Sequence, residues 1–398
     1  QKQLIGAYFT MEYSIEAAAF FNPSIIEDPD QSGLASGEKR VIISFRATGE
    51  GHISSIVFRT GVLDRKSHIL LEPAGRLLES AEQVKNHVYE KDGFLKKLEE
   101  MQSGSTTAAY GFMQEKLPAN FTYEELKHYV AEARAQVTSN NTGDVLLLNE
   151  IIWLASSHYD MDFSVDTAIS ERVIFPIADT EMKGIEDARF VKFTDDNGEI
   201  TYYATYTAYD GVSILPKLIL TQDFYHFKVM PIHGYVAQNK GMALFPRKIG
   251  GKYAMLCRGD GMSNYISFSD NITIWREASL VQKPQYPWEL VQMGNCGSPI
   301  ETPEGWLVIT HGVGPVREYS LGVSLLDLDN PAKEIGRLPF PLLSPSETER
   351  EGYVPNVVYS CGSMIHNDTL VIPYAISDYA STYATVSLSE LLAALKAG

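Results

Sequence analysis

Runs of alternating apolar and polar residues recur along the chain, separated by turn-forming residues. Five segments share one pattern: an apolar strand, a polar or aromatic position, a Gly/Asp-rich turn, then a second strand. They start at Val41, Tyr203, Tyr253, Leu307 and Leu370. From Tyr203 onward the starts lie 50, 54 and 63 residues apart, about the length of a propeller blade. Val41 and Tyr203 are 162 residues apart, roughly 100 more than one blade needs. In that surplus the period changes. Ser80-x-x-Gln83 and Thr122-x-x-Glu125 read as capping boxes. Apolar stripes at helical spacing follow them, Val84, Val88, Leu95 and Leu98 in one and Leu126, Val130, Ala133 and Val137 in the other. A third helix, from about Asp144 to Ser156, is apolar nearly all round and is expected to be buried. The pattern thus predicts an all-β fold, a five-bladed β-propeller with an α-helical segment inserted between blades 1 and 2. Residues 1–64 hold blade 1 and an N-terminal closing strand, 65–160 the helical insertion, and 161–398 blades 2–5, one domain overall. The insertion reads as a packing or oligomerisation element, or as a lid that shapes a pocket.

Composition narrows the functional classes. The 398 residues are 44% hydrophobic and 21% charged, ordinary for a globular protein. Lys plus Arg number 33 against 50 Asp plus Glu, a formal charge of −17, so most of the surface repels nucleic-acid phosphates and anionic lipid. No apolar run reaches the ~18 residues a membrane span needs. The N-terminal Gln1-Lys2-Gln3-Leu4-Ile5-Gly6 has no apolar signal core, and the lack of an initiator Met leaves a removed leader open. Three scattered cysteines suit neither a disulfide framework nor a zinc site and fit a reducing cytoplasm. The nine histidines show no HExxH or other metal spacing, so neither a metal nor an organic cofactor is expected.

In a propeller the innermost strands converge on a central channel. Aligning the five segments brings Arg46, the Thr207 to Tyr209 stretch, Arg258, His311 and Tyr374 to about one level. In an acidic protein, cationic and hydrogen-bonding types where a core wants aliphatics read as an anion site. The alternative is that each pairs with a carboxylate of its own blade.

Gly184-Ile-Glu-Asp-Ala-Arg189, Phe21-Asn22-Pro23-Ser24, Asn239-Lys-Gly-Met-Ala-Leu-Phe-Pro246, His311-Gly-Val313, Tyr319-Ser-Leu-Gly322 and Leu326-Asp-Leu-Asp-Asn-Pro331 stand together in this chain. In that combination it resembles glycoside hydrolase family 130, the β-mannoside phosphorylases and related mannosidases, over residues of about 8 to 60 and 165 to 392. The resemblance implies a five-bladed propeller and inverting phosphorolysis of a β-linked mannosyl unit, giving α-mannose 1-phosphate. Inorganic phosphate is then the cosubstrate and a β-mannoside oligosaccharide the substrate. Asp187 falls at the position of the general acid, whose proton passes through a mannosyl hydroxyl. Lys240, Arg258, His311 and Tyr319 fall on the phosphate side. Asn22, Arg46 and Asp378 fall on the mannosyl side, with Tyr209 and Asp210 contacts at the matching second-blade turn. The structural alternative for Glu186, Asp187 and Arg189 is an ion-pair turn. One departure stands out: several family members carry a second Arg where this chain reads Gly51-His52-Ile53-Ser54-Ser55-Ile56, with His52 or Ser54 as substitutes.

Two other readings stay open. A hydrolase on the same fold needs a second carboxylate ~6.5–9.5 Å from the acid to activate water, with Glu50 and Glu318 as candidates. A non-catalytic propeller would be a binding module. None of the four phosphate-side positions is acidic, which favours the phosphorylase. Linkage and acceptor stay open, and the expected assembly is a homo-oligomer through the helical insertion, with no nucleic-acid or membrane partner.

Overall fold

A computed structural model describes residues 14–49, 51–75, 77–83, 88–101, 107–136 and 142–397. Its frame is five antiparallel sheets laid down in chain order. The first runs Ala19–Glu27, Lys39–Thr48, Ser54–Leu63, Arg172–Ile174 and Glu79–Ser80, the last pairing being parallel. The second runs Gly184–Thr194, Ile200–Tyr209, Ile214–Thr221, His226–Pro231, Tyr159–Asp162 and Glu82–Gln83. Ala243–Leu244, Gln292–Asn295 and Val358–Tyr359 begin the third, fourth and fifth. Each repeated segment seen in the sequence is a hairpin of its sheet. Lys39–Thr48 pairs with Ser54–Leu63, Gly305–Val313 with Tyr319–Leu326, and Thr369–Ile376 with Ala380–Ser387.

Alternating side chains bury one face of each strand against the next sheet. One apolar cluster joins the first and second sheets through Ile42, Phe58, Phe190 and Tyr206. Others join the second to the third through Phe193 and Met255, and the third to the fourth through Phe245 and Trp306. Fourth and fifth meet through Leu321 and Ile372, with the helix Leu388–Ala397 packed on them. Fifth and first meet through Val371 and Ile43. Backbone bonds reinforce that last junction, with Phe20 N donating to Tyr379 O at 3.2 Å and Cys361 N to Pro23 O at 2.8 Å.

Helices occupy Lys91–Met101, Ala108–Lys116, Tyr123–Gln136 and Thr142–Ser156 and share an apolar core of their own around Leu98, Met113, Phe121, Leu126 and Ile151. The capping box at Thr122 forms: its N–H donates to Glu125 Oε2 at 2.8 Å and its Oγ1 accepts from Glu125 N at 3.3 Å. The one expected at Ser80 does not. Ser80 and Gln83 lie in short strands of the first and second sheets, and Val88 is exposed in Val88–Glu90, which pairs with Asn120–Thr122. Sheet edges already in place took these residues, and β-branched Val88 suits a strand. The helix begins later, where Glu90 accepts from Asp92 N at 3.2 Å and Gly93 N at 2.8 Å. Val84 and Val137 lie outside the described residues. The helix Thr142–Ser156 is not buried all round, since Val145 and Leu146 are 41% and 57% exposed. No described helix is long and apolar enough to cross a membrane. The three cysteines are buried and free, and no described group of His, Cys, Asp or Glu is arranged to hold a metal ion.

Beneath the second sheet, Lys217 Nζ and Glu181 Oε1 form an ion pair at 2.7 Å with both side chains fully buried. Glu181 also accepts from Tyr206 Oη at 2.6 Å, Tyr159 Oη at 2.9 Å and Ile177 N at 3.0 Å. The carboxylate is thus saturated and fixes the turn that enters Gly184–Thr194. Removing one charge of a buried pair strands the other. Glu181→Gln is expected to cost about 3–5 kcal/mol of stability, read as a lower midpoint in chemical denaturation.

Candidate active site

The first strands of four of the five sheets deliver polar side chains to one cavity of about 440 Å³. Asn22 comes from Ala19–Glu27, Glu186, Asp187 and Arg189 from Gly184–Thr194, Gln292 from Gln292–Asn295 and Tyr359 from Val358–Tyr359. Lys240 precedes the third sheet's first strand. Arg46, Arg258 and His311 come from the second strands or their ends, and Asp378 from the turn after Thr369–Ile376.

Backbone irregularities aim three of these side chains. The strand registers shift between Phe21 and Ser24 and between Glu186 and Arg189, the signature of bulges. Asn22, Asp187 and Asp378 have φ of 51°, 58° and 52°, a left-handed conformation that Asn and Asp tolerate better than other non-glycine residues. The result joins two sheets: Asn22 Nδ2 donates to Asp187 Oδ1 at 2.7 Å. Gly241, at φ 89°, makes room for the cations, since a Cβ there would lie 3.0 Å from Arg258 Cδ and 3.2 Å from Arg189 Nη1.

Charge is concentrated here. Glu186 ties two cations together, accepting from Arg46 Nη2 at 2.9 Å and from Lys240 Nζ. Arg46 Nη1 also lies 3.6 Å from Asp187 Oδ1. Arg189 Nη2 donates to Tyr359 Oη at 2.7 Å, and Arg258 donates to the Gly261 carbonyl. The Nε groups of Arg46, Arg189 and Arg258 are buried and bonded to no acceptor among the described residues. Among the described residues, five cationic ones (Arg46, Arg189, Lys240, Arg258, Arg317) line the cavity against three carboxyls (Glu186, Asp187, Asp378), a formal surplus of two positive charges in a chain of net −17.

That field separates the titrating groups. Burial pushes the Asp187 carboxyl up, but Arg46, Arg189, the Asn22 amide and Lys240 outweigh it and hold the group below its ordinary value. Burial and the Asp187 charge push Asp378 up to about 6, with Arg46 and Arg317 offsetting part of the rise. Burial, then the Arg258 and Arg189 charges, drive His311 well below the usual imidazole range, so it is neutral. Its ring lies parallel to Tyr319 at 6.0 Å and edge-on to Tyr359 at 5.0 Å. Burial pushes the Cys296 thiol up to about 12, which removes it as a nucleophile at neutral pH.

Of the residues singled out from sequence, Asn22, Arg46, Asp187, Lys240, Arg258, His311, Tyr319 and Asp378 all line the cavity. Tyr209 and Asp210 do not. The Tyr209 hydroxyl donates to Gly211 O at 2.9 Å, and Asp210 Oδ1 accepts from Val212 N at 2.7 Å and Ser213 N at 2.6 Å. An Asp followed by Gly after a strand is turn chemistry, and here the turn takes both side chains. Tyr374 is also turned away, onto Glu349 at 2.9 Å. Glu318 lies outside the lining, facing Arg350 at 3.9 Å, and Glu50 lies outside the described residues. Sequence reasoning missed Tyr359, Gln292, Asn239 and Arg317 as lining residues. Val358–Tyr359 is a two-residue strand, too short to show a period.

The pocket is of the kind that binds a polyanion beside a buried acid. A family model described as β-1,4-mannooligosaccharide phosphorylase matches residues 149–397. The chain belongs to glycoside hydrolase family 130, the β-mannoside phosphorylase family. It is 35% identical over 215 residues to a 1,2-β-oligomannan phosphorylase of Thermoanaerobacter sp. (strain X514), covering 53% of this chain and 71% of that protein. It is 29% identical over 231 residues to a β-1,2-mannobiose phosphorylase of Listeria innocua serovar 6a, covering 55% of this chain and 62% of that one. The crystal structure of a Listeria innocua β-1,2-mannobiose phosphorylase with β-1,2-mannobiose shares the fold, with a TM-score of 0.56, 20% identity, and coverage of 98% of this chain and 95% of that one.

A carboxyl raised from 3.8 to about 6 by folding binds its proton more tightly in the folded state. It therefore favours folding at low pH, and that contribution is lost as pH rises from about 4 through 6. Asp378→Asn is expected to raise the melting temperature at pH 7.5 and to change it much less at pH 4.5. Equal shifts at both pH values would show that ionisation of Asp378 is not the cause.

Proposed function

We propose that this phosphorylase works by inversion, with Asp187 as the acid and phosphate held by Lys240, Arg189, Arg258, His311 and Tyr319. The observation that carries the reading is the surplus of two positive charges among the described lining residues, with three buried guanidinium Nε groups that bond to no described acceptor. A phosphate dianion neutralises that surplus. Arg supplies forked donors, while Lys acts as a point charge. Neutral His311 and Tyr319 supply donors without adding charge. An oxygen of phosphate attacks the anomeric carbon from the face opposite the leaving group. The C1–O bond to the acceptor sugar breaks, and the proton from Asp187 ends on the departing oxygen, by way of a mannosyl hydroxyl. The product is α-mannose 1-phosphate. In the free protein the surrounding cations hold Asp187 ionised. Bound phosphate cancels that field and raises the affinity of the carboxyl for the proton it must deliver. Asn22, Arg46 and Asp378 hold the mannosyl unit on the other side of Asp187.

The same reading takes the five sheets, joined in succession with the fifth bonded to the first, as blades of a propeller. It takes 65–160 as the insertion between the first two, and the cytoplasm as the compartment. The exposed Leu70, Leu71, Leu77 and Leu78 lie in that segment and support self-association through it. Sedimentation is expected to show a homo-oligomer, and a monomer would leave the segment as a cover for the pocket.

The deciding assay incubates the protein with β-1,2-, β-1,3- and β-1,4-linked mannosides, with and without phosphate. Phosphate-dependent α-mannose 1-phosphate is expected. Free mannose regardless of phosphate would make it a hydrolase, with Asp378 as the cavity carboxyl left to activate water. Asp187→Asn is expected to lower turnover by about 10²-fold or more while phosphate still binds. Arg258→Ala is expected to raise the half-saturating phosphate concentration about tenfold or more, the worth of one charged hydrogen bond. An unchanged phosphate dependence would return Arg258 to a structural role.

A further inference from the structure

His52 lies in the turn between Lys39–Thr48 and Ser54–Leu63, with φ of 59°. Its ring stacks on Tyr353 with centroids 5.8 Å apart and planes 24° from parallel, and Tyr353 Oη lies 3.2 Å from His52 Nδ1. Each partner is anchored beside a cavity carboxyl. On the His52 side, Ser54 Oγ donates to Ile185 O at 2.8 Å, two residues before Asp187. A Cβ on Gly184 would lie 2.5 Å from that same Ser54 oxygen, so the approach is close. On the Tyr353 side, Val354 lines the cavity and its N–H donates to Ser377 O at 3.0 Å, next to Asp378. The stacked pair therefore spans the rim from the strand of Asp187 to the turn of Asp378. Neither ring belongs to an apolar core cluster, and Tyr353 is 53% exposed. An aromatic side chain ordered at the surface by stacking and a hydrogen bond, with its entropy already lost, is preorganised to bind something.

We propose that the His52–Tyr353 pair is the platform for the acceptor sugar, the unit on the leaving-group side of the scissile bond. The proposal rests on the phosphorylase reading above. A pyranose offers an apolar C–H face and a rim of hydroxyls, which suit an aromatic face beside a ring nitrogen. The platform stands next to the strand that carries the acid, where the departing oxygen must be. It lies outside the cluster that holds phosphate, so it selects the acceptor.

The test runs the reaction in the synthetic direction, from α-mannose 1-phosphate and an acceptor (mannose, glucose or a β-mannobiose). Tyr353→Ala is expected to raise the KM for the acceptor about tenfold and to leave the KM for mannose 1-phosphate within about twofold. Tyr353→Trp is expected to restore acceptor binding, and His52→Ala to weaken it in the same direction. An unchanged acceptor KM in both alanine variants would overturn the proposal. So would a parallel rise in both KM values, which marks a rim residue that only shapes the pocket. If the wild-type protein makes no oligosaccharide, it is the phosphorylase reading that fails. The platform is then judged by saturation-transfer NMR with β-mannobiose: loss of contact to the reducing-end unit in Tyr353→Ala supports it, and unchanged contact overturns it.

Discussion

Five guanidinium and ammonium groups share one cavity, and the rest of the molecule is arranged to hold them there. Such crowding is unfavourable in itself, because each cation is partly stripped of water and faces like charges. Glu186 relieves some of it by bridging Arg46 and Lys240, and Asp187 more by lying against Arg46. What remains among the described lining residues is a field with a formal surplus of two positive charges. The same field keeps Asp187 ionised and His311 neutral. The cationic cluster and the protonation state of Asp187 are therefore one electrostatic system.

Holding like charges together demands a rigid frame. The cations come from several sheets, and each sheet is locked to the next by an apolar cluster. Close approach is met at the backbone by Gly241 between Arg189 and Arg258. Bulges do the aiming: a regular strand would send the side chains of Asn22 and Asp187 to the faces their parity dictates. The left-handed residues at these points are Asn or Asp, so the chemical requirement for a carboxyl or amide and the backbone requirement fall on the same residue types.

Much of this was legible in the sequence, for identifiable reasons. The hairpins could be read because a strand pair with a Gly/Asp turn carries its own period, and five copies made it plain. Arg46, Arg258 and His311 could be read because each stands where aliphatic residues are expected. Asp187 and Lys240 were reached through the family motifs. Tyr209 and Asp210 stand outside the cavity lining because a turn takes hydrogen-bonding groups that a ligand could equally use. The helix expected from Ser80 starts only at Lys91 because short strands such as Glu79–Ser80 pair with Arg172–Ile174, a partner more than 90 residues away that no local pattern encodes. Arg317 and Tyr359 were missed as lining residues because a loop and a two-residue strand leave no periodic trace.

The bonds between the fifth sheet and the first also bear on how the protein is made. Asn22 precedes Tyr359 and Asp378, which line the same cavity, by 337 and 356 residues. A nascent chain that has built only its first four sheets holds the arginines without Asp378 and without the backbone groups of Tyr379 and Cys361 that bond Phe20 and Pro23. The cavity lining thus stays incomplete until Asp378 has been synthesised. Chains that stop before Asp378 are therefore electrostatically unfinished.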